Sequence, residues 1–416
     1  MSGISAYQRR VLLILTLINF VNWIDRQIVY PLFPLIRHDF HVSYEQLGWL
    51  VAAFSLVYAA GSLGLGRLAD ATSRKKVIGY GILFWSGATF ISGLAASFPS
   101  LLVARGLVGV GEAAYEPAAN AMITAAFTER VRARVQGVFN LGMFFGGALG
   151  LALGAILAEH VGWRPAFFVV GIPGLILSLA IMRLPEVPRA HDEKQASALR
   201  FLWRPTYILV LVSGWFTGFA GYAYVIWGVE FVYRYKGFTL ARAGSVLGLT
   251  AVVAGILGVT VGAVVADRLA FKIKGGRALA PAVGFLVSAP FILGALHAKS
   301  KLSFVVLFGT GAFFMTWYHG PVTAVIHDLT PSQVHATAIG VYSFFVNLLA
   351  TTAASVLIGK IADGYGLMAG MRCAVAAQAA GGACFLAVAG LIHSQRKTPV
   401  LREAEAGTPE SRRYAF

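Results

Sequence analysis

The chain has 416 residues and a formal net charge of +16, yet only 12% of its residues are charged and 57% are hydrophobic. Soluble domains carry roughly 25% charged residues, so a solvated globular enzyme is excluded. Apolar runs of membrane-spanning length recur from end to end instead.

A bilayer core needs about 20 apolar residues per helix. Twelve segments meet that need, at approximately 11–36, 45–66, 77–98, 100–126, 135–159, 164–184, 205–231, 241–266, 277–297, 302–326, 334–359 and 367–393. The first is too long for a signal-peptide core, lacks a small-residue cleavage site and runs directly into further spans, so it reads as a retained helix. The remainder forms short loops, a polar linker and a tail, which leaves no room for a soluble catalytic domain. The expectation is an all-α integral membrane protein of 12 transmembrane helices. It has an N-terminal six-helix bundle over 1–184, a cytoplasmic linker over 185–204, a C-terminal six-helix bundle over 205–393 and a cytoplasmic tail over 394–416.

Segment one carries Asp25 and Arg26 side by side within its apolar run, with Asn19, Asn22 and Arg26 on one helical face. A charge near the bilayer centre costs roughly 2.5–3.5 kcal/mol, and such residues by default mark an ion, proton or substrate pathway. The loop after segment two reads Gly66-Arg67-Leu68-Ala69-Asp70-Ala71-Thr72-Ser73-Arg74-Lys75-Lys76. Segment four carries Arg105, Glu112 and Glu116. Arg105 and Glu112 are two turns apart on one face, with Gly106, Gly109, Gly111 and Ala113 between or beside them to admit close neighbours or water. Segment five aligns Gly142, Gly146, Gly147, Gly150 and Gly154, a pattern of close helix packing.

The second half offers aromatics in place of charges. Segment seven has Trp215, Phe216, Phe219, Tyr222, Tyr224 and Trp227, with Glu230 near its outer end; segment ten has Phe313, Phe314, Trp317, Tyr318 and His319. Phe219, Tyr222, Phe314, Trp317 and Tyr318 are candidates for an apolar cavity wall opposite the charged half; the alternative for them is a lipid-facing or packing role. After segment eight, Gly262, Asp267 and Arg268, followed by Lys272, Lys274 and Arg277, form a degenerate repeat of the first Gly-acid-basic loop. Parallel six-helix halves with a central site are a known transporter plan. Cys373 and Cys384 lie eleven residues apart on segment twelve, roughly 16 Å along a helix and too far for a disulfide.

With the N terminus cytoplasmic, about 23 Lys and Arg fall on cytoplasmic loops and ends, about 9 outside, and two, Arg26 and Arg105, within the membrane. The positive-inside rule accounts for the basic excess, and a nucleic-acid surface is a poor second reading. No P-loop, HExxH pair or Cys/His metal cluster is present. The expected protein is therefore not an enzyme and has no cofactor beyond a coupling proton, and the lack of a nucleotide-binding loop favours a secondary carrier.

The first loop resembles the cytoplasmic signature of the major facilitator superfamily, with Ser73 in place of the usual second glycine. Asn22-Trp23-Ile24-Asp25-Arg26 resembles the first helix of the spinster (Spns)-like lipid transporter family. Arg105-Gly106-Leu107-Val108-Gly109-Val110-Gly111-Glu112-Ala113, then Pro117-Ala118, resembles its fourth. Trp163-Arg164-Pro165-Ala166-Phe167 and Asn347-Leu348-Leu349 are also similar, with Asn347 where members often carry His. The superfamily likeness spans the chain; the spinster likeness is strongest in the N-terminal half.

The resemblance implies the superfamily fold, with segments one and four beside a central cavity, so that Arg26 pairs with Glu112 or Asp25 with Arg105. It also implies a proton-linked carrier of lysophospholipids or sphingolipids. Gly66, Asp70, Arg74 and Lys75 become the cytoplasmic signature loop, with Asp70 capping a helix end or meeting a basic partner as a latch between states. Asp25 and Glu112 are the candidate proton carriers and Arg105 their tuning partner, because burial raises a carboxylate's pKa and a nearby Arg lowers it. Arg26, Asn22 and Glu116 are candidates for a substrate headgroup site or a gate, Arg26 because guanidinium binds phosphate in bidentate fashion. The alternative for the whole set is a static ion-pair network that fixes helix packing.

The expected function is proton-coupled movement of an amphipathic lipid by rocker-switch alternating access, in a monomer of the bacterial plasma membrane with both termini cytoplasmic. The alternatives are a proton-linked carrier of a small organic anion or drug, or a membrane receptor or scaffold without transport. The expected partners are the lipid or organic-anion substrate, protons and membrane lipids, with no nucleic acid.

Overall fold

The computed structural model describes residues 5–185, 199–331 and 334–394. For residues 63, 66, 67, 69–71, 129, 133, 199, 200 and 336 it describes the backbone alone. All regular structure among the described residues is helical. Among the described residues, nine helices are long and apolar enough to cross a membrane, and the remaining helices complete twelve antiparallel passes.

Span one runs Ala6–Ile28, Tyr30–Leu32 and Phe33–Phe40; span two Tyr44–Ala71; span three Arg74–Gly93; span four Phe98–Ala113 and Tyr115–Ala126; span five Glu129–Val161; span six Trp163–Met182. In the second half, span seven is Pro205–Tyr235; span eight Leu240–Lys272; span nine Gly276–His297; span ten Lys301–Met315, Thr316–Tyr318 and His319–Leu329; span eleven His335–Phe344, Phe345–Ala350 and Thr351–Tyr365; span twelve Leu367–Ser394. Most of the linker and tail, 186–198 and 395–416, lies outside the described residues.

Hydroxyl caps start many of the spans. Ser5, Ser43 and Ser97 open spans one, two and four with capping boxes, and Ser73, Thr239 and Ser300 accept from the first-turn N–H groups of spans three, eight and ten. The two halves repeat a sharp turn as well. Gly162 between spans five and six and Gly366 between eleven and twelve take φ of 88° and 82°, a backbone region closed to most side chains.

Lipid is as apolar as a leucine side chain, so small residues that let backbones approach hold membrane helices together. Span five shows this on two sides. A Cβ on Gly142 would lie 2.8 Å from the Thr16 carbonyl oxygen, and on Gly150 or Gly154 2.9 Å from the Ile24 or Ile28 carbonyl oxygen. Gly244 and Gly248 of span eight press as closely on Leu151 and Ala148 of span five. The glycine alignment is thus a packing face for span one. Cys373 and Cys384 are free thiols.

The buried core has a telling division. One cluster, on the side remote from the N terminus (the distal side), unites both halves, from Ile24, Phe33, Tyr44 and Leu151 to Phe219, Trp227, Leu247 and Ile358. Towards the N-terminal (proximal) side the core splits in two. One cluster belongs wholly to the first half, from Val11 to Leu184; the other belongs to the second, from Tyr207 to Ala389. The halves therefore meet distally and part proximally, leaving a cleft between them.

Two crossed helix caps close the distal side. The Asp363 carboxylate, at the end of span eleven, accepts from the Tyr44 and Glu45 backbone N–H groups at 2.8 Å each. Glu159, at the end of span five, accepts from the Ala241 N–H at 2.6 Å. Each acid satisfies otherwise orphaned first-turn donors of a span in the opposite half, where the helix dipole favours negative charge.

Candidate functional site

Asp25, Arg26, Arg105 and Glu112 come together as two ion pairs between spans one and four. The Arg105 guanidinium donates to Asp25 Oδ1 at 3.1 Å, and Arg26 Nε donates to Glu112 Oε2 at 2.6 Å. Both pairings named as alternatives from sequence form at once. Arg105 and Glu112 are seven residues apart, about 10.5 Å along the helix, and the length of the Arg side chains lets two adjacent residues of span one serve both levels. Asp25, Arg105 and Glu112 are at most 2% exposed, whereas Arg26 retains 16%. Thr89 of span three donates to the second Asp25 oxygen, so both carboxylate oxygens are engaged. Glu112 keeps Oε1 buried without a hydrogen-bond partner among the described residues.

Arg26 is also enclosed by aromatic faces, its guanidinium carbon lying 4.6 Å from the Tyr58 ring centroid, 5.3 Å from Trp23 and 5.5 Å from Phe54. The Tyr58 hydroxyl donates to Glu116 Oε2 at 2.9 Å. Span four breaks at Ala114, between Glu112 and Glu116. Glu112 is buried on the first piece and Glu116 exposed on the second. Asn22 is buried and its amide nitrogen has no partner among the described residues; it is closed to a headgroup in this conformation. Asn19 donates to the Phe139 carbonyl of span five at 2.8 Å.

Across the cleft, the Tyr222 hydroxyl donates to Asn347 Oδ1 at 2.7 Å. Tyr222 lies within electrostatic reach of Arg26 and Glu116, which places it opposite them. Asn347 sits in a π-helical turn, Phe345–Ala350, and Tyr318 in the 3-10 break of span ten. Irregular turns inside membrane helices are tolerated where they line a cavity. His319 follows that break, exposed, stacked on Tyr318 at 4.2 Å and edge-on to Phe144 of span five at 6.2 Å.

The expected aromatic wall is only partly realised. Tyr222 and Tyr318 belong to it. Phe219 is buried and stacks on Trp215. Trp317 is buried, with its side chain against the positions of Gly262 and Gly284 on spans eight and nine. Phe314 packs among Phe291, Phe313 and Trp317. These three fill helix–helix contacts, where close packing to neighbouring spans outcompetes exposure to a cleft. The wall is consequently more polar than expected, built from Tyr222, Tyr318, His319 and Asn347.

The signature loop lies at the proximal end. Gly66 and Asp70 fall outside the described side chains. Arg74 donates to the Ala121 carbonyl at 3.2 Å and Lys75 to the Leu184 carbonyl at 2.6 Å, cations placed near the C-terminal ends of spans four and six. In the second half, Arg277 donates to both oxygens of Asp328, at 2.7 and 2.8 Å. A distal group escaped the sequence reading. Glu230, there assigned only to the outer end of segment seven, is fully buried, paired with Arg234 and accepting from the Tyr44 hydroxyl of the opposite half at 3.3 Å. Its signal was the spacing Glu230/Arg234, an i,i+4 pair. No group of His, Cys, Asp and Glu suited to a metal occurs among the described residues.

The family description of the Major Facilitator Superfamily matches residues 15–354. The chain belongs to this superfamily. It is a multi-pass membrane transporter, not an enzyme, and its fold is that of the major facilitator superfamily. Its relatives include an MFS-type efflux pump of Mycolicibacterium smegmatis, 26% identical over 84% of this chain and 83% of that one. The sphingosine-1-phosphate transporter SPNS2 of Xenopus tropicalis is 29% identical over 84% of this chain and 73% of that one. A crystal structure of a bacterial homologue of the human lysosomal transporter spinster, inward-facing and unoccupied, superimposes with a TM-score of 0.86. It is 23% identical and covers 95% of this chain and all of that one.

Proposed function

We propose that the chain is a proton-coupled secondary transporter of an amphipathic lipid, of the lysophospholipid or sphingolipid type, working by rocker-switch alternating access. The observation that carries this reading is the asymmetry of the cleft: one wall holds two ion pairs and the exposed carboxylate of Glu116, and the other holds aromatic and amide groups with no formal charge. An amphipathic molecule presents the same asymmetry, and the name of the sphingosine-1-phosphate relative is consistent with it.

Asp25 and Glu112 exchange the proton in this scheme and Arg105 tunes them; Arg26, partly open to the cleft, holds a headgroup or gates it. An acid whose Arg partner turns to substrate loses its compensation and takes up a proton. A membrane potential of 100 mV adds about 2.3 kcal/mol per charge moved, enough for tens-fold accumulation. The reading places the chain as a monomer in a bacterial plasma membrane with both termini cytoplasmic. The proximally open cleft is then the inward-facing state, and the signature loop a latch of the opposite state.

A small organic anion or a drug is the second reading. The polar hydroxyl and amide groups of the second-half wall and the efflux-pump relative favour it. Purified protein in liposomes, offered a panel of lysolipids and small anions with and without a pH gradient, separates the two. Gradient-driven movement of a lysolipid supports the first reading; uptake of a small anion with no lipid movement supports the second.

A further inference from the structure

We infer that Glu116 reads a positively charged centre on the substrate, so that the site, on the amphipathic-lipid reading above, prefers an ammonium-bearing headgroup to a bare phosphate. The charges facing one another between spans one and four are Asp25, Glu112 and Glu116 against Arg26 and Arg105, one negative charge in excess. Both guanidinium groups are already engaged, Arg105 by Asp25 and Arg26 by Glu112. The opposite wall, Tyr222, Tyr318, His319 and Asn347, adds no formal charge with histidine counted neutral. An approaching phosphate therefore meets two satisfied cations and one spare carboxylate.

That spare carboxylate is Glu116. Alone among the five it is exposed, and its one direct partner among the described residues is neutral, the Tyr58 hydroxyl at 2.9 Å on Oε2. No cation lies within ion-pair distance of it among the described residues. Tyr58 holds the acid in place, and Tyr222 lies within electrostatic reach from the other wall. An anchored, exposed acid suits a substituted ammonium, whose charge it pairs with; the Tyr58 ring itself already carries the Arg26 guanidinium at 4.6 Å. A phosphate on the same headgroup would lie towards Arg26, which pairs through Nε with Glu112, one turn before Glu116, and retains 16% exposure.

The test compares two single-chain lipids of identical acyl chain, lysophosphatidylcholine and lysophosphatidic acid, by equilibrium binding to the purified full-length protein. The wild type is expected to favour the choline lipid. Glu116→Gln should reduce that preference about threefold, the scale of one partly exposed ion pair, and Glu116→Asp should restore part of it. Tyr58→Phe, which frees the acid without removing it, should give a smaller reduction in the same direction. An unchanged preference in Glu116→Gln, or an equal loss for both lipids, overturns the assignment while leaving lipid transport standing. Failure of the wild type to bind either lipid overturns both.

Discussion

The two halves share a six-helix plan and even the same turn glycines, yet they furnish the cleft differently. The first half supplies charge, locked as Asp25–Arg105 and Arg26–Glu112. The second supplies rings and an amide, joined by an exposed hydrogen bond from Tyr222 to Asn347. Removing a partner from a buried pair leaves an uncompensated charge, whereas removing one exposed neutral hydrogen bond leaves groups that water can satisfy. Stability thus depends on the charged wall, and the uncharged wall is free to shape selectivity.

The largest expected effect follows from the buried pair. Arg105→Ala or Asp25→Ala should lower stability by about 3–5 kcal/mol, read as a large fall in the melting temperature of the detergent-solubilised protein. The double variant Asp25→Asn/Arg105→Met should recover much of that loss. An additive double variant would show that the two residues are not coupled as described.

An intermediate effect is expected at the distal clasps, which hold the halves together without belonging to either wall. Asp363→Asn with Glu159→Gln removes two carboxylate–helix contacts between the halves. At about 0.3–1 kcal/mol each, the loss should favour the distally open state by roughly three- to thirtyfold. Thiol labelling of a cysteine placed on the distal cleft lining would report it as faster modification; an unchanged rate would remove the clasps from the closing machinery. The smallest effect belongs to Tyr222→Phe, which should cost about 1 kcal/mol or less. It should leave the melting temperature within a degree or two, and alter the apparent substrate KM by no more than about fivefold.

Much of the first half was legible in sequence because charge is expensive in a bilayer. Five ionisable residues in two apolar segments had to find one another, and helical spacing placed Arg105 and Glu112 on one face. The span-five glycines were legible for a local reason: each acts across one helix contact. The aromatic wall was not. In a soluble helix an apolar face points inward, but here lipid, helix packing and cavity lining are all apolar, so the sequence of span ten does not say which of Phe314, Trp317 and Tyr318 faces which. Nor did it distinguish buried Asn22 from exposed Glu116. The Glu230–Arg234–Tyr44 group was missed because the third member comes from the opposite half, over 180 residues away in the chain.

The most direct test of proton coupling through the charged wall is lysolipid movement in proteoliposomes with and without an imposed pH gradient. Wild type, Glu112→Gln and Asp25→Asn would be compared at matched protein content. The expected result is gradient-stimulated movement in the wild type and at least a tenfold loss of that stimulation in both variants, since each removes an acid that gains and loses a proton in the proposed scheme. Stimulation equal to wild type in both variants would contradict the account and leave the two ion pairs as structural fastenings.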